Sequence, residues 1–456
     1  MNGHFRVAVV GGGVAGLAAA YRLVERGVGD IVLLEASERL GGTIATERSG
    51  GFTIETGADS LITEKPWAVD LCERLGVTLI GTREGERRTY VVNRGRLEPL
   101  PEGFLLLAPT DLLALARSRL FSWRGKLRMA LDLVLPRGPE VPDESLAHFV
   151  RRRLGREALE RVAEPLVGGI YTADAERLSL EATMPRFREV ERRHRSLIRG
   201  LGAAAATTRA AGARYALFVA PRDGMGAVVE AIARRLPEGS VRLRAPVTAI
   251  ASEGGRWRLV AGGEPLVADA VVLATPAHVA ATLLAPLDAE LGRLLGGIEY
   301  ASSATVTLAY RSADLPALGG FGFVVPAVER RGLIACTYAS RKFPGRAPEG
   351  HELVRAFVGG ALRPDALARD DAALADLVRG ELREIVGITA APTLTRVHRH
   401  RLAMPQYAVG HLERVAAIEA RLAALPGLVL AGAAYRGVGV PDCVRSGEAA
   451  ANQLPG

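Results

Sequence analysis

The sequence predicts an α/β chain in which a doubly wound, Rossmann-like nucleotide-binding section and a second mixed section flank an all-helical insertion. Three observations carry this. The chain opens on a short apolar strand, three glycines and an amphipathic helix, "FRVAVVGGGVAGLAAAYRLVERG". It closes on another strand, glycine-rich loop and helix, "GLVLAGAAYRGVGVPDCVRSGEAAANQL". From Thr110 to about Leu201 the pattern is densely helical, whereas strand signals cluster elsewhere.

The opening segment is a strand, a tight turn and a helix. Gly11-x-Gly13-x-x-Gly16 fits the dinucleotide fingerprint: Gly11 for the turn, Gly13 for backbone approach to a pyrophosphate, Gly16 for close helix–strand packing. Gly12, Val14 and Ala15 complete the loop, and the phosphates would meet the free N–H groups and positive end of the new helix. Val14, Leu17, Ala18, Tyr21 and Val24 form its expected apolar stripe. A second strand, "DIVLLE", ends on Glu35, 22 residues after Gly13, where a carboxylate can accept from ribose hydroxyls. The alternative of a secretion signal fails on the three glycines in its core and on the regular helix that follows.

The 456 residues suffice for about three domain-sized pieces. No run of 18 apolar residues occurs, so no spanning helix is expected. Cys72, Cys336 and Cys443 are far apart, form no CxxC pair, and read as reduced, buried thiols of a cytoplasmic protein. His398 and His400 are a close pair without cysteine or acidic partners at ligand spacing, so no metal site is expected. Residues 111–215 hold 20 Arg/Lys against 13 Asp/Glu, an excess of 7 in a chain of net charge +8. That asymmetry points to an anionic partner of the segment, such as phospholipid, nucleic acid or an acidic ligand. Arginine outnumbers lysine 55 to 3, so a compositional bias also contributes.

Within the insertion, "PTDLLALARSRLF", "ESLAHFVRRRLG" and "EALERVAEPLVGGIY" read as helices, with Asp111 and Asp143 or Glu144 near their starts. "RTYVVN", "AVVLATP", "ATVTLAY", "FGFVVP" and "ELVRAFVGG" read as strands. Val241 to Val260 reads as a hairpin turning at Glu253-Gly254-Gly255. Near the end, Gly432, the following loop and Asp442 precede a helix from about Cys443, a second backbone-exposing loop at a helix N-terminus.

These residues resemble a known group. "VVGGGVAGLAAAYRL", "LLEASERLGGTIAT" and "GFTIETGADS" look like the FAD-binding amine-oxidase superfamily. "LPEGFLLLAPT", "SRKFPGRAPEGHELVRAFVGG", "MPQYAVGHLERV" and "YRGVGVPDCVRSGEAA" look like the bacterial oxygen-dependent protoporphyrinogen and coproporphyrinogen oxidases, across nearly the whole chain. The resemblance implies a discontinuous, glutathione-reductase-type FAD domain (1–85, 215–290 and 405–456). It also implies a mixed-sheet substrate domain (86–110 and 291–404) and a helical membrane-facing domain (111–214). Gly11 to Gly16 match the pyrophosphate loop, Glu35 and Ala36 the ribose site, and Gly42 and Thr43 the turn after it. Gly57, Ala58, Asp59 and Ser60 match the loop that approaches the flavin ring, and Val247 the residue at the adenine. Ala433, Val438, Gly439 and Val440 match the C-terminal flavin loop. For substrate, Arg88 falls where an arginine pairs with a propionate, with Arg87 the alternative one residue away. Val324, Thr337 and Phe357 fall at apolar walls around the tetrapyrrole, although Thr337 stands where relatives often carry leucine.

The implied chemistry asks little of acid–base residues. A porphyrinogen loses six electrons to become aromatic, so one FAD works in three two-electron rounds, with oxygen as acceptor and hydrogen peroxide as product. The cofactor carries the chemistry, and the protein orients the substrate and excludes water. The implied partners are a porphyrinogen, molecular oxygen and a membrane surface touched peripherally from the cytoplasm. No nucleic acid is expected, and a homodimer stays open. Protoporphyrinogen IX is the expected substrate in haem biosynthesis and coproporphyrinogen III the alternative. An amine or carotenoid oxidase is a further alternative, as is a non-catalytic, lipid-chaperoning relative without flavin; the intact glycines and Glu35 argue against the last. "LLALARSRLFSWRGKLRMALDLVL" fits interfacial attachment, with Phe121 and Trp123 among Arg117, Arg119, Arg124, Lys126 and Arg128.

Overall fold

The computed structural model describes residues 5–83, 88–101, 103–105, 107–210 and 217–455. Five parallel strands lie side by side in the order Val241–Arg242, Asp30–Leu34, Arg6–Val10, Ala270–Leu273, Leu428–Leu430. The runs "VAVV", "IVLL" and "AVVL" are buried without alternation, as strands covered on both faces must be. From Arg6–Val10 the chain builds outward first to one side and then to the other. Ligands bind at the carboxyl ends of the strands where such a sheet reverses direction.

Helix Val14–Glu25 is buried on more of its circumference than a single stripe, with Ala15, Leu17, Ala18, Ala19, Ala20, Tyr21 and Leu23 all inside. The reason is a second helix, Val440–Gln453, packed on it in addition to the sheet. The crossing is close because Gly447 lacks a side chain: a Cβ there would stand 2.0 Å from the Ala15 carbonyl oxygen. This helix starts three residues before the expected Cys443 because Pro441 is pre-set for the first turn.

A seven-stranded sheet runs in the order Leu394–Pro405, Tyr300–Arg311, His351–Gly359, Leu333–Tyr338, Gly322–Val324, Thr89–Asn93, Arg96–Pro99. All its pairings are antiparallel except that of Gly322–Val324 with Thr89–Asn93. One face carries Val306, Leu308, Phe323, Tyr338, Val354 and Ala356, buried under Leu374, Val378 and Leu382 of helix Asp371–Val386. The other face turns to the helical section and to the loops of the parallel sheet.

The helical section includes Leu112–Arg117, Trp123–Ala130, Leu146–Arg153, Glu164–Tyr171, Pro185–His194 and Leu197–Ala210. Its centre mixes aromatic packing by Phe149 and Phe187 with a fully buried ion pair, Arg153–Asp132. Asp132 also accepts from the Ser196 hydroxyl (2.7 Å) and the Ile198 amide (3.0 Å). That acid is therefore structural and offers nothing to the surface.

Several expectations are corrected. Val241–Arg242 joins the parallel sheet, and the hairpin begins at Val247, turning at Gly254 and Gly255 (φ 58° and 79°), with a third strand Glu264–Ala268. Two glycines at positive φ suit the tight hairpin turn. Asp111 caps its helix, and Asp143 and Glu144 lie just before Leu146–Arg153 as expected, with Ser145 as its cap. Asp143 accepts from the backbone amides of Glu144 and Gly410. Phe121 is buried and stacked on Phe104 at 5.8 Å. The strands Leu333–Tyr338 and Leu394–Pro405 were not foreseen; the second reads as polar because it is a half-buried edge strand.

Candidate active site

The N-terminal turn is built by steric exclusion. Gly11 holds φ at 106°, where a Cβ would stand 2.7 Å from the Ala274 carbonyl oxygen. A Cβ on Gly16 would be 1.9 Å from the Gly11 carbonyl oxygen. Gly13 is the opposite case: a Cβ there meets nothing within 4 Å, so the space before the helix is open. Gly13 is also the N-cap of Val14–Glu25, without a side-chain cap and with no acid in the first turn. The exposed N–H groups and helix dipole make that space a site for an anion. Glu35 closes the far side, accepting from the Gly12 amide (2.7 Å) and the Ser37 amide (2.8 Å). Ala36 beside it is exposed.

The other nucleotide-loop residues gather here. Gly42 (φ 59°) lies so close that its Cβ would be 3.2 Å from the Gly13 Cα. Thr43 meets Gly57, whose Cβ would be 2.1 Å from the Thr43 carbonyl oxygen. Val247 follows a segment zipped to Glu35, whose carbonyl accepts from the Ala245 amide at 2.9 Å. Gly439 is the N-cap of Val440–Gln453, again without a side-chain cap, and Val440 packs in the same apolar core as Val14. The two helices run side by side in the same direction, so their positive ends point the same way.

Val324, Thr337 and Phe357 share one face of the seven-stranded sheet. Val324 pairs with Ala335, Ala335 with Phe357, and Gly322 with Thr337; directly paired residues, and residues two apart, point the same way. Val324 is buried there, and Phe357 and Val438 pack against the same cluster of helical-section residues. Val438 of the C-terminal loop thus shares a cluster with Val324 and Phe357. Arg88 is exposed just before strand Thr89–Asn93, its carbonyl accepting from the Phe321 amide at 3.0 Å. Arg87 lies outside the described residues.

Sequence reasoning missed the cations that hold these loops. Lys342 reaches Asp59 (3.0 Å) and Ser60 (3.0 Å), and Lys65 reaches Asp442 (2.7 Å). Burial alone would push the Asp59 carboxyl up, but Lys342 and Arg355 outweigh it and hold it well below the ordinary carboxylate range. The available signal was composition: of only three lysines among 58 basic residues, two sit on the acids of the predicted flavin loops. A compact ammonium has no planar fork to fit, which suits a tight carboxylate pocket. Arg355 and Tyr407 were missed as well. The Tyr407 hydroxyl donates to the Ala433 carbonyl (2.6 Å) and accepts from the Gly437 amide (2.7 Å), tying down both sides of the C-terminal loop.

Tyr407 also lines a cavity of about 820 Å³ between the helical section and the end of the sheet. Arg177, Arg401 and Leu402 stand at it, whereas Arg88, Val324, Thr337 and Phe357 do not. All three cysteines are buried, and burial pushes the Cys72 and Cys443 thiols up to about 12.

The family model of flavin containing amine oxidoreductases matches residues 14–455. A coproporphyrinogen III oxidase of Bacillus subtilis is 35% identical over 98% of this chain and 97% of its own length. Human protoporphyrinogen oxidase is 32% identical over 99% of this chain and 98% of its own. A crystal structure from Exiguobacterium sp. 255-15, provisionally named a protoporphyrinogen oxidase, superposes with a TM-score of 0.88 at 35% identity, covering 99% of this chain and 98% of that one.

Proposed function

The chain belongs to the flavin containing amine oxidoreductases, and from that premise we propose that it is a FAD-dependent porphyrinogen oxidase of haem biosynthesis, using molecular oxygen. The observation that carries this reading is that Val438, from the C-terminal loop, packs against the same apolar cluster that contains Val324 and has Phe357 at its margin. A loop fit for the cofactor and a wall fit for a tetrapyrrole share that cluster.

The residues present fit FAD. The open space at Gly13 takes a pyrophosphate that a side chain would displace. Gly11 to Gly16, Gly42 and Thr43 would hold the phosphates, Glu35 and Ala36 the ribose, and Val247 the adenine. Gly57 to Ser60, Ala433 and Val438 to Val440 would hold the ring. When bound, FAD supplies the acceptor for two electrons in each of three rounds. The chain's own part is placement: Lys342 and Lys65 lock Asp59 and Asp442, Tyr407 locks the C-terminal loop, and the apolar walls exclude water. The proposal includes the three-part domain division. The five parallel strands come from the FAD-domain segments and the seven-stranded sheet almost wholly from the substrate segments.

Between the two porphyrinogens, we propose coproporphyrinogen III over protoporphyrinogen IX. The bacterial relative named for it supports this. The test is kcat/KM on both porphyrinogens with the flavin-loaded protein, followed by porphyrin fluorescence. A preference for protoporphyrinogen IX would reverse the substrate choice, and turnover of neither would end the reading.

We also place a membrane-facing surface on residues 112–134, as a peripheral contact from the cytoplasm. Trp123 is 72% exposed, Leu127 68% and Val134 68%, with Leu112, Leu113 and Leu131 around them. No helix among the described residues is long and apolar enough to cross a membrane. The basic set is smaller than the sequence suggests. Arg128 is turned inward, donating to the carbonyls of Arg152 (2.8 Å) and Arg153 (3.0 Å), which leaves Arg117, Arg119, Arg124 and Lys126.

A further inference from the structure

The Thr56 carbonyl is held by three side chains from three strands of the seven-stranded sheet. The Thr305 hydroxyl donates to it at 3.1 Å, Arg355 Nη2 at 3.1 Å and His400 Nε2 at 2.8 Å. The same Arg355 nitrogen also donates to the Gly57 carbonyl. A carbonyl oxygen offers two lone pairs, so three donors on one oxygen saturate it. Strand register explains the convergence. Thr305 pairs with Phe357 and His398, and Thr307 with Arg355, so positions 305, 355 and 400 lie diagonally on the face that carries the predicted walls.

Arg355 is 3% exposed. Burying a guanidinium is costly, and its Nε has no partner among the described residues. Its guanidinium carbon lies 4.9 Å from the centre of the Phe357 ring. One side chain therefore touches both the loop predicted to approach the flavin and a predicted substrate wall. Lys342, from beside the same sheet, holds Asp59 at the other end of that loop.

We propose that Arg355, with Thr305 and His400, is a positioning set: the antiparallel sheet fixes the Thr56–Gly57 peptides and thereby sets the flavin ring against the substrate wall. The proposal rests on the reading that residues 57–60 approach the flavin. Arg355 would act through the loop backbone, without contact to the reacting atoms.

The test compares wild type with Arg355→Met, His400→Ala and His400→Gln. Glutamine can still donate from its amide, whereas alanine cannot. In the FAD-free protein, hydrogen exchange of the 53–62 backbone should quicken in Arg355→Met and His400→Ala and return toward wild type in His400→Gln. In the FAD-loaded protein, visible circular dichroism of the flavin should change in the same order. With porphyrinogen, kcat should fall by about tenfold to a hundredfold at little-changed KM, as expected for misplacement by about an ångström. If Arg355→Met does not fold, the His400 pair decides alone. Exchange and dichroism equal to wild type in the folded variants, or glutamine no better than alanine, would overturn the proposal. Absence of FAD from the wild type would instead overturn the reading beneath it.

Discussion

The nucleotide loops and the helical section handle polar groups in opposite ways. At Gly13 a helix start leaves its N–H groups uncapped over open space, and Gly439 starts a second helix without a side-chain cap. In the helical section many arginines are taken up in ion pairs, within it and with Glu329 of the sheet section. Arg151 pairs with Glu176, Arg152 with Glu144 and Glu191, Arg153 with Asp132, Arg161 with Glu329, and Arg188 with Glu181. What that section leaves open is an apolar patch, Trp123, Leu127 and Val134, with Arg117, Arg119 and Arg124 exposed on the same stretch. A region that waits for an anion exposes backbone, and a region that waits for a surface exposes hydrocarbon. Net charge along the sequence distinguishes neither, because paired arginines count the same as free ones.

The sharpest way to break this contrast is at Gly13. Gly13→Val should abolish FAD binding yet leave the FAD-free protein nearly as stable, because the new side chain enters open space. Flavin retained at full occupancy would remove the phosphate assignment. Asp132→Ala should do the reverse. It strands the buried Arg153 guanidinium and should cost about 3–5 kcal/mol by urea unfolding. The folded fraction should keep its flavin.

An intermediate effect is expected at Arg88, where a propionate needs a cation. Arg88→Ala should raise KM by about twofold to fivefold while flavin content holds, since an exposed pair contributes at most about 1 kcal/mol. An unchanged KM would exclude Arg88 as the propionate partner.

Acid should act on the loop supports. Burial lowers the pKa values of His398, His400 and His411 from 6.5, with Arg355 adding to the first two and Arg414 and Arg436 to the third. The unfolded chain therefore takes up protons first as pH falls. Stability is full above about pH 6.5 and declines below it toward the folded values. Tm should drop between about pH 7 and pH 5, and less so in His400→Gln. A Tm rising over that window would contradict the burial of these rings.

The smallest effect is expected at the apolar surface. Trp123→Ser with Leu127→Ser should weaken sedimentation with anionic liposomes at low salt while leaving turnover in detergent unchanged. Arg128→Gln should not weaken it beyond any loss of stability, because that side chain faces inward. Equal binding to neutral and anionic lipid would remove the electrostatic part of the claim.

How much of this was legible follows from distance along the chain. Gly11, Gly13, Gly16 and Glu35 act within one strand–turn–helix–strand unit, so their spacing alone reports their geometry. The Thr56 support comes from residues 305, 355 and 400, and no local period links three strands so far apart. Strand Leu394–Pro405 was overlooked because its histidines and arginines break apolar alternation, and those same residues grip the loops of the other section. Arg128 and Phe121 were misread for a related reason. An amphipathic pattern tells that a helix has two faces, but packing turns Arg128 inward at the margin of its helix and buries Phe121 in the connection between two helices.

The central claim, that bound FAD takes electrons from a porphyrinogen, is tested most directly by one anaerobic mixing experiment. The flavin-loaded protein is mixed with coproporphyrinogen III, and in parallel with protoporphyrinogen IX, while the visible flavin band is followed. The account predicts that the band bleaches with at least one of them, that porphyrin fluorescence rises in step, and that air restores the band. A flavin band that persists in excess of both porphyrinogens would contradict it.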